Sequence, residues 1–267
     1  MIPVLKEFFG FGGYQREPEG YMSWQHLVFV SSLIVIMIAL AILFGLKYRS
    51  KDAKDKNKVL IVAAILMDSI ELFKIVMMCF SSGDPMHWVR NLPLFLCSIQ
   101  LITIPLAAFS KGRIKEASLD FVFIFGLLGA VLGTYLAGNN YAAYPVLSFD
   151  NVVSGITHCI SGFAALYIVI SGMQSMKKKN IPITFAIMGV FGVMAYIVNI
   201  ITKDTFGTNY MFLMRGDGTP YDILFNLVGG NPIVYPIAVI LLFIIYISAF
   251  YGVYFLIAKA TSKKKNT

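Results

Sequence analysis

Long apolar runs recur along the chain between short polar connections: roughly Gln25 to Leu46, Val59 to Phe80, Leu92 to Phe109, Leu119 to Ala137, Val152 to Ser171, Ile181 to Ile201 and Ile233 to Ala258. Each comes close to the ~20 residues that a helix rising 1.5 Å per residue needs to cross about 30 Å of hydrocarbon. The pattern predicts an all-α polytopic membrane bundle of seven transmembrane helices, one domain over residues 24–258. A leader, 1–23, precedes it and a basic tail, 259–267, follows. Within the leader, Ile2, Leu5, Phe8 and Phe9 fall at helical spacing, which suits a short helix at the membrane interface. The leader has charges where a cleavable signal peptide needs a continuous apolar stretch. The connection 202–232 is long, contains the turn-rich run Arg215 to Pro220, and resumes an apolar pattern from Tyr221 to Val228, as a re-entrant segment would.

Charge then orients the bundle. Most of the 22 lysines and arginines sit in the Lys47–Lys58, Lys111–Lys115 and Lys177–Lys179 connections and in the tail from Lys259. The alternate connections hold only Lys6, Arg16, Arg90, Lys203 and Arg215. Because the basic side of a membrane protein faces the cytoplasm, the amino terminus is expected outside, the carboxyl terminus inside, and the location is the cell membrane. With 58% hydrophobic and 13% charged residues, a water-soluble domain is excluded. The net charge of +8 lies in short tracts beside apolar runs, so no nucleic-acid partner is expected. Cys79, Cys97 and Cys159 are too few for a disulfide framework and lack zinc-site spacing. No phosphate loop, dinucleotide fingerprint or internal repeat is present, so no metal or other cofactor is expected.

Function must then reside in polar residues that hydrocarbon should reject. In the second run Asp68, Glu71 and Lys74 are three residues apart and share one helix face. Mid-membrane charges cost about 2.5–3.5 kcal/mol each on insertion scales, so they face the interior and pair. A Glu71 to Lys74 ion pair that only holds helices in register is the plain reading, and a functional site is the sharper one. His26, His87 and His158 all fall on the outer side. Continuous helices would put Cys97 and His158 at the same depth, about 8–9 Å below the outer interface, with Lys74 near that level. A thiol beside an imidazole is the pair that covalent acyl transfer needs, because the thiolate attacks while histidine takes and returns the proton. A cation at the depth of Lys74 would meet a lipid phosphate or help hold a thiolate, and Glu71 would orient an imidazole, while Asp150, Asn151, Asn209 and Tyr210 add outer hydrogen-bonding groups. A buried cysteine is more often an inert packing residue, so spacing alone leaves both readings open.

Three ordered motifs sharpen the choice: Glu71-x-x-Lys74, then Leu92-Pro93-Leu94-Phe95-Leu96-Cys97, then Gly207-Thr208-Asn209-Tyr210-Met211-Phe212-Leu213. Together with Trp24-Gln25-His26-Leu27 this order resembles the YwaF family of bacterial integral membrane proteins, in the same wider group as eukaryotic transmembrane protein 164. The resemblance runs over nearly the whole chain. It implies a phospholipid acyltransferase or thiol-dependent lipid hydrolase with Cys97 as nucleophile, His158 as its partner, and membrane lipids as the molecules it meets. The chain departs from the family in having Phe95 where a histidine commonly stands two residues before the cysteine, and in the segment from Arg215 to Pro232.

Two other classes compete with a lipid-directed enzyme. In one, Asp68, Glu71 and Lys74 form a mid-membrane site for a solute or a proton in a transporter. In the other, the seven spans with an outer amino terminus are a receptor-like or assembly module, for which the short cytoplasmic connections offer little beyond lysines.

Overall fold

A computed structural model describes residues 3–173 and 176–265, and among these every regular element is a helix. Gln174 and Ser175, the first two residues of the leader and the last two of the tail lie outside the described residues, as do the side chains of 262–265. The α-helices are α1 (Pro3–Phe8), α2 (Trp24–Tyr48), α3 (Ala53–Ser82), α4 (Gln100–Phe109), α5 (Gly112–Tyr135), α6 (Gly138–Ala143), α7 (Phe149–Ile170), α8 (Ile181–Phe206), α9 (Tyr221–Leu227) and α10 (Val234–Lys265). Short 3-10 turns span His87–Asn91, Lys178–Asn180 and Tyr210–Phe212.

Side-chain oxygens start α2, α3 and α7 by accepting otherwise unpaired N–H groups: Ser23 from His26 at 3.2 Å, Asp52 from Asp55 at 2.7 Å and Ser148 from Asn151 at 3.4 Å. Among the described residues, five stretches are long and apolar enough to cross a membrane: Trp24–Tyr48, Gly112–Ala143, Phe149–Ile170, Lys178–Phe206 and Val234–Thr261. α3 is longer than most of these, but its charges set it apart, and α4 has only 10 residues.

The third apolar run, 92–109, is therefore not one continuous helix. Residues 92–99 do not continue the helix, and α4 alone rises about 15 Å, half a hydrocarbon core. Pro93 drives Leu92 into an extended conformation at ψ 145°. The Ser98 hydroxyl then competes with the helix by accepting from the Phe95 N–H at 3.0 Å and donating to the Phe95 carbonyl at 3.2 Å. Cys97 consequently sits in a turn, and its depth does not follow from helical rise.

The chain divides into two compact units, Met1–Gln174 and Ser175–Thr267. In the first, α7 packs on α5, α2 and α3, while α4 contacts α3 and α5. Apolar burial does not drive helices together within lipid, so close backbone approach matters more. At Gly126 an added Cβ would stand 2.9 Å from the Ser161 carbonyl oxygen, so α5 and α7 meet there only because no side chain intervenes. Leu60, Met67, Ile104, Val122 and Ile168 fill the space between α3, α4, α5 and α7. The lysine-rich end is clamped by side chains on carbonyls: Asn57 Nδ2 donates to Ala108 O at 2.8 Å, Lys115 Nζ to Asn57 Oδ1 at 2.6 Å, and the Tyr167 hydroxyl to Lys56 O at 3.0 Å.

In the second unit α8 packs on α10, joined by a 3.0 Å bond between the Thr184 and Tyr251 hydroxyls. α8 runs five residues past its predicted end, to Phe206. The apolar piece of the following connection is α9, which turns Tyr221 onto Phe212 and Phe243 and Phe225 onto Tyr235. It leaves Ile223 and Leu227 exposed, and its seven residues rise about 10 Å.

Candidate functional site around Cys97 and His158

α7 carries the histidine. Ser154 and His158 are one helical turn apart, and the ring Nδ1 donates to the Ser154 carbonyl at 2.7 Å, with the Ser154 hydroxyl 3.4 Å away. That bond places the ring proton on Nδ1 and leaves the Nε2 lone pair free. Nε2 is shielded from solvent and has no hydrogen-bond partner, and the Cys97 side chain is a neighbour of the ring. The packing leaves the two side chains without a hydrogen bond between them. It brings together the two residues that sequence reasoning singled out, from a turn before α4 and from the middle of α7.

α5 forms the wall behind both. A Cβ at Gly133 would overlap Cδ2 and Nε2 of the His158 ring, so the imidazole lies directly on helix backbone. One turn earlier, a Cβ at Gly129 would lie 3.6 Å from both Cα and Cβ of Cys97. Neither glycine nor Ser154 was singled out from the sequence. The signals were present in the Gly126, Gly129, Gly133 spacing and in Ser154 four residues before His158, but both are common in membrane helices that do no chemistry.

The charges of α3 come next. Glu71 and Lys74 are buried and joined by a 2.7 Å ion pair, and Asp150, in the first turn of α7, stands 4.0 Å from Lys74 Nζ. The Lys74 ammonium is also within electrostatic reach of Cys97 and His158. Glu71 therefore holds the lysine, and the Ser154 carbonyl, not Glu71, orients the imidazole. Asp68, one turn deeper, has a buried Oδ1 without a hydrogen bond and makes no ion pair with Lys74. The expected three-residue stripe is a pair plus an isolated carboxyl.

His26 is fully buried, but both ring nitrogens are engaged: Nδ1 accepts from the Met22 N–H at 3.2 Å and Nε2 donates to the Thr134 carbonyl at 3.1 Å. Its ring lies 3.9 Å from that of Tyr141. It joins α2 to the end of α5 and has no lone pair to spare. Asn209 and Tyr210 belong to the second unit. Asn209 donates to the Arg215 carbonyl at 2.7 Å and the Asp217 carboxylate at 2.8 Å, and accepts from the Met214 N–H at 2.9 Å. Asn199 brackets the Tyr210 backbone, accepting its N–H at 2.8 Å and donating to its carbonyl at 3.0 Å. Both arrangements fold the connection after α8.

On the predicted outer side a cavity of about 350 Å³ opens above Asp150. Phe9 to Tyr14 of the leader wall one side of it, with Met78, His87, Tyr144 and Phe149 on the other. His87 lies in the turn after α3, outside the apolar runs, where burial and then the neighbouring Arg90 hold its imidazole below the usual histidine range. The three cysteines are free thiols, and no metal-binding group of His, Cys, Asp and Glu occurs among the described residues.

A family model, that of the TMEM164 family, matches residues 21–251. Neither a curated protein nor a solved structure matches the chain.

Proposed function

The chain belongs to the TMEM164 family and is an integral membrane protein, and from that premise we propose that it is a lipid-directed acyltransferase or lipid ester hydrolase working through Cys97 and His158. The observation that carries this reading is the imidazole whose Nδ1 is tied to Ser154 while its Nε2 has no hydrogen-bond partner, with the Cys97 side chain as a neighbour of the ring. In the first half-reaction Nε2 takes the thiol proton and the sulfur attacks the ester carbonyl. The imidazolium then protonates the departing alcohol, leaving an acyl thioester on Cys97. In the second half His158 removes a proton from the acceptor, an alcohol or water, which attacks the thioester and regenerates the thiol. Lys74, held by Glu71 with Asp150 nearby, supplies fixed positive charge beside the sulfur and the developing oxyanion.

In this reading the seven apolar runs span the cell membrane with the amino terminus outside, and the partners are membrane lipids. α3 crosses with its charges turned inward, and α4 with the turn of residues 92–99 makes the third crossing. The test is to incubate purified protein with a long-chain acyl thioester probe and map the label. Label on Cys97 that disappears in His158→Ala supports the proposal, and label confined to Cys79 or Cys159 sinks it.

The unpartnered Oδ1 of Asp68, buried one turn below the Glu71 to Lys74 pair, favours a second reading: a solute or proton pathway along α3. Substrate-dependent flux into liposomes that survives Cys97→Ala and is lost in Glu71→Gln would replace the first reading with this one.

A further inference from the structure

The leader is folded onto the rest of its unit as a cap. Glu7, at the end of α1, accepts the Gln15 N–H at 3.1 Å and the Arg16 N–H at 3.1 Å and so closes the intervening loop on itself. Gly10, Gly12 and Gly13 make that loop possible with φ of 69°, 80° and 85°. The Phe8 and Phe9 rings then sit 5.7 and 4.8 Å from the ring of Phe149, which also meets Phe73 at 5.7 Å. Phe149 and Phe73 are the immediate chain neighbours of Asp150 and Lys74, so the leader rests on the two residues that position the buried charges.

Further along, the Tyr14 ring lies 5.6 Å from that of Tyr144. Burial pushes the Tyr14 phenol up to about 12, against the pull of a hydrogen bond with Ser148. Glu19 accepts the Val146 N–H at 2.8 Å. The cavity is lined by this cap, by the end of α3 and by Asp150, which stands 4.0 Å from Lys74 Nζ. Over residues 3–16 the attachments are the ring edges of Phe8 and Phe9 on Phe149 and those of Tyr14 on Tyr144 and Ser148, whereas Glu19 and Met22, whose N–H donates to the buried His26 at 3.2 Å, fix the far end of the cap as a hinge would be fixed.

We propose that residues 3–16 are a lid over the outward entrance to Cys97, which opens when Phe8 and Phe9 leave Phe149. Opening widens the mouth of the cavity and extends it along a path past Asp150 and Lys74 to the thiol. The inference takes Cys97 as the reacting group, as the proposed function does, but it concerns access and needs no turnover to test.

The experiment uses the full chain in nanodiscs with Cys79→Ser and Cys159→Ser, so that Cys97 is the one thiol, and measures its labelling by a bulky, membrane-impermeant maleimide. In the Phe8→Ala/Phe9→Ala variant the rate should rise at least tenfold, while a small methanethiosulfonate reagent gains much less. A bulky-reagent rate within twofold of the parent overturns the lid. Should that variant not yield folded protein, Glu7→Gln decides instead, with a threefold increase expected and no change overturning the proposal. Lid-dependent labelling of a Cys97 that never accepts an acyl group keeps the lid and removes the acyl-transfer reading. Acylation with lid-independent labelling does the reverse.

Discussion

The neighbourhood of Cys97 and the connection after α8 both hold buried polar side chains, and they differ in how completely those groups are satisfied. In the connection, Asn209 fills three hydrogen bonds and Asn199 brackets Tyr210 from both sides. Around Cys97, Asp150 stands off its lysine at 4.0 Å, the free nitrogen of His158 has only a thiol beside it, and Asp68 keeps an oxygen without a hydrogen bond. A saturated group fixes a shape. A buried group with spare capacity can change partners or protonation state without dismantling its surroundings, which is what chemistry requires.

Substitutions can break or sharpen this contrast. The largest effect is expected from Cys97→Ala: acyl-probe turnover should fall by on the order of a thousandfold or more, with an unchanged melting temperature in detergent. Next, Lys74→Met leaves Glu71 and Asp150 buried without their cation and should cost about 3–5 kcal/mol by denaturant titration, part of it recovered when Glu71→Gln is added. A protein insensitive to Lys74→Met would show that these charges are solvated and the contrast is false.

Gly133→Ala should cost about 1–3 kcal/mol by forcing a methyl against the His158 ring, and should slow Cys97 acylation at least tenfold because Nε2 can no longer keep its place. On the saturated side, Asn209→Ala should destabilise by about 1–3 kcal/mol, since it strands its partners, yet leave acylation per folded molecule unchanged. The smallest effect concerns pH. Folding holds the His87 imidazole below its unfolded value, so the unfolded chain binds the proton more readily. Its contribution is complete above the unfolded value of about 6.5 and fades as pH falls through that of the folded state. His87→Gln should flatten that acid limb in melting curves taken from about pH 7 to 5.

The all-helical fold was legible because it follows from run length and charge asymmetry, which are summed over many residues. The third run misled because apolarity does not distinguish a helix from a buried turn: Pro93 and Ser98 broke 92–99 locally while its composition stayed hydrophobic. Within the candidate site, residue type pointed to Cys97, His158, Glu71 and Lys74, since charge and nucleophilicity are properties of single side chains. Ser154 acts through its backbone and Gly129 and Gly133 through the side chains they lack, so neither contribution is visible in residue type. His26 had the right type and depth, but its two hydrogen bonds depend on Met22 and on Thr134, which is 108 residues away.

The clamp at the lysine-rich end has a mechanical consequence. Asn57, Lys115 and Tyr167 tie α3, α5 and α7 to one another and to the last turn of α4 through short bonds to carbonyls. Elements pinned at one end by short hydrogen bonds and held at the other by a 4.0 Å ion pair and a ring edge move like the blades of shears, with displacement growing with distance from the pin. Amide exchange should accordingly be slowest around Asn57 and Ala108 and quicken along α3 and α7 toward Ser82 and Phe149, so that thermal motion widens the molecule on the side away from the pin.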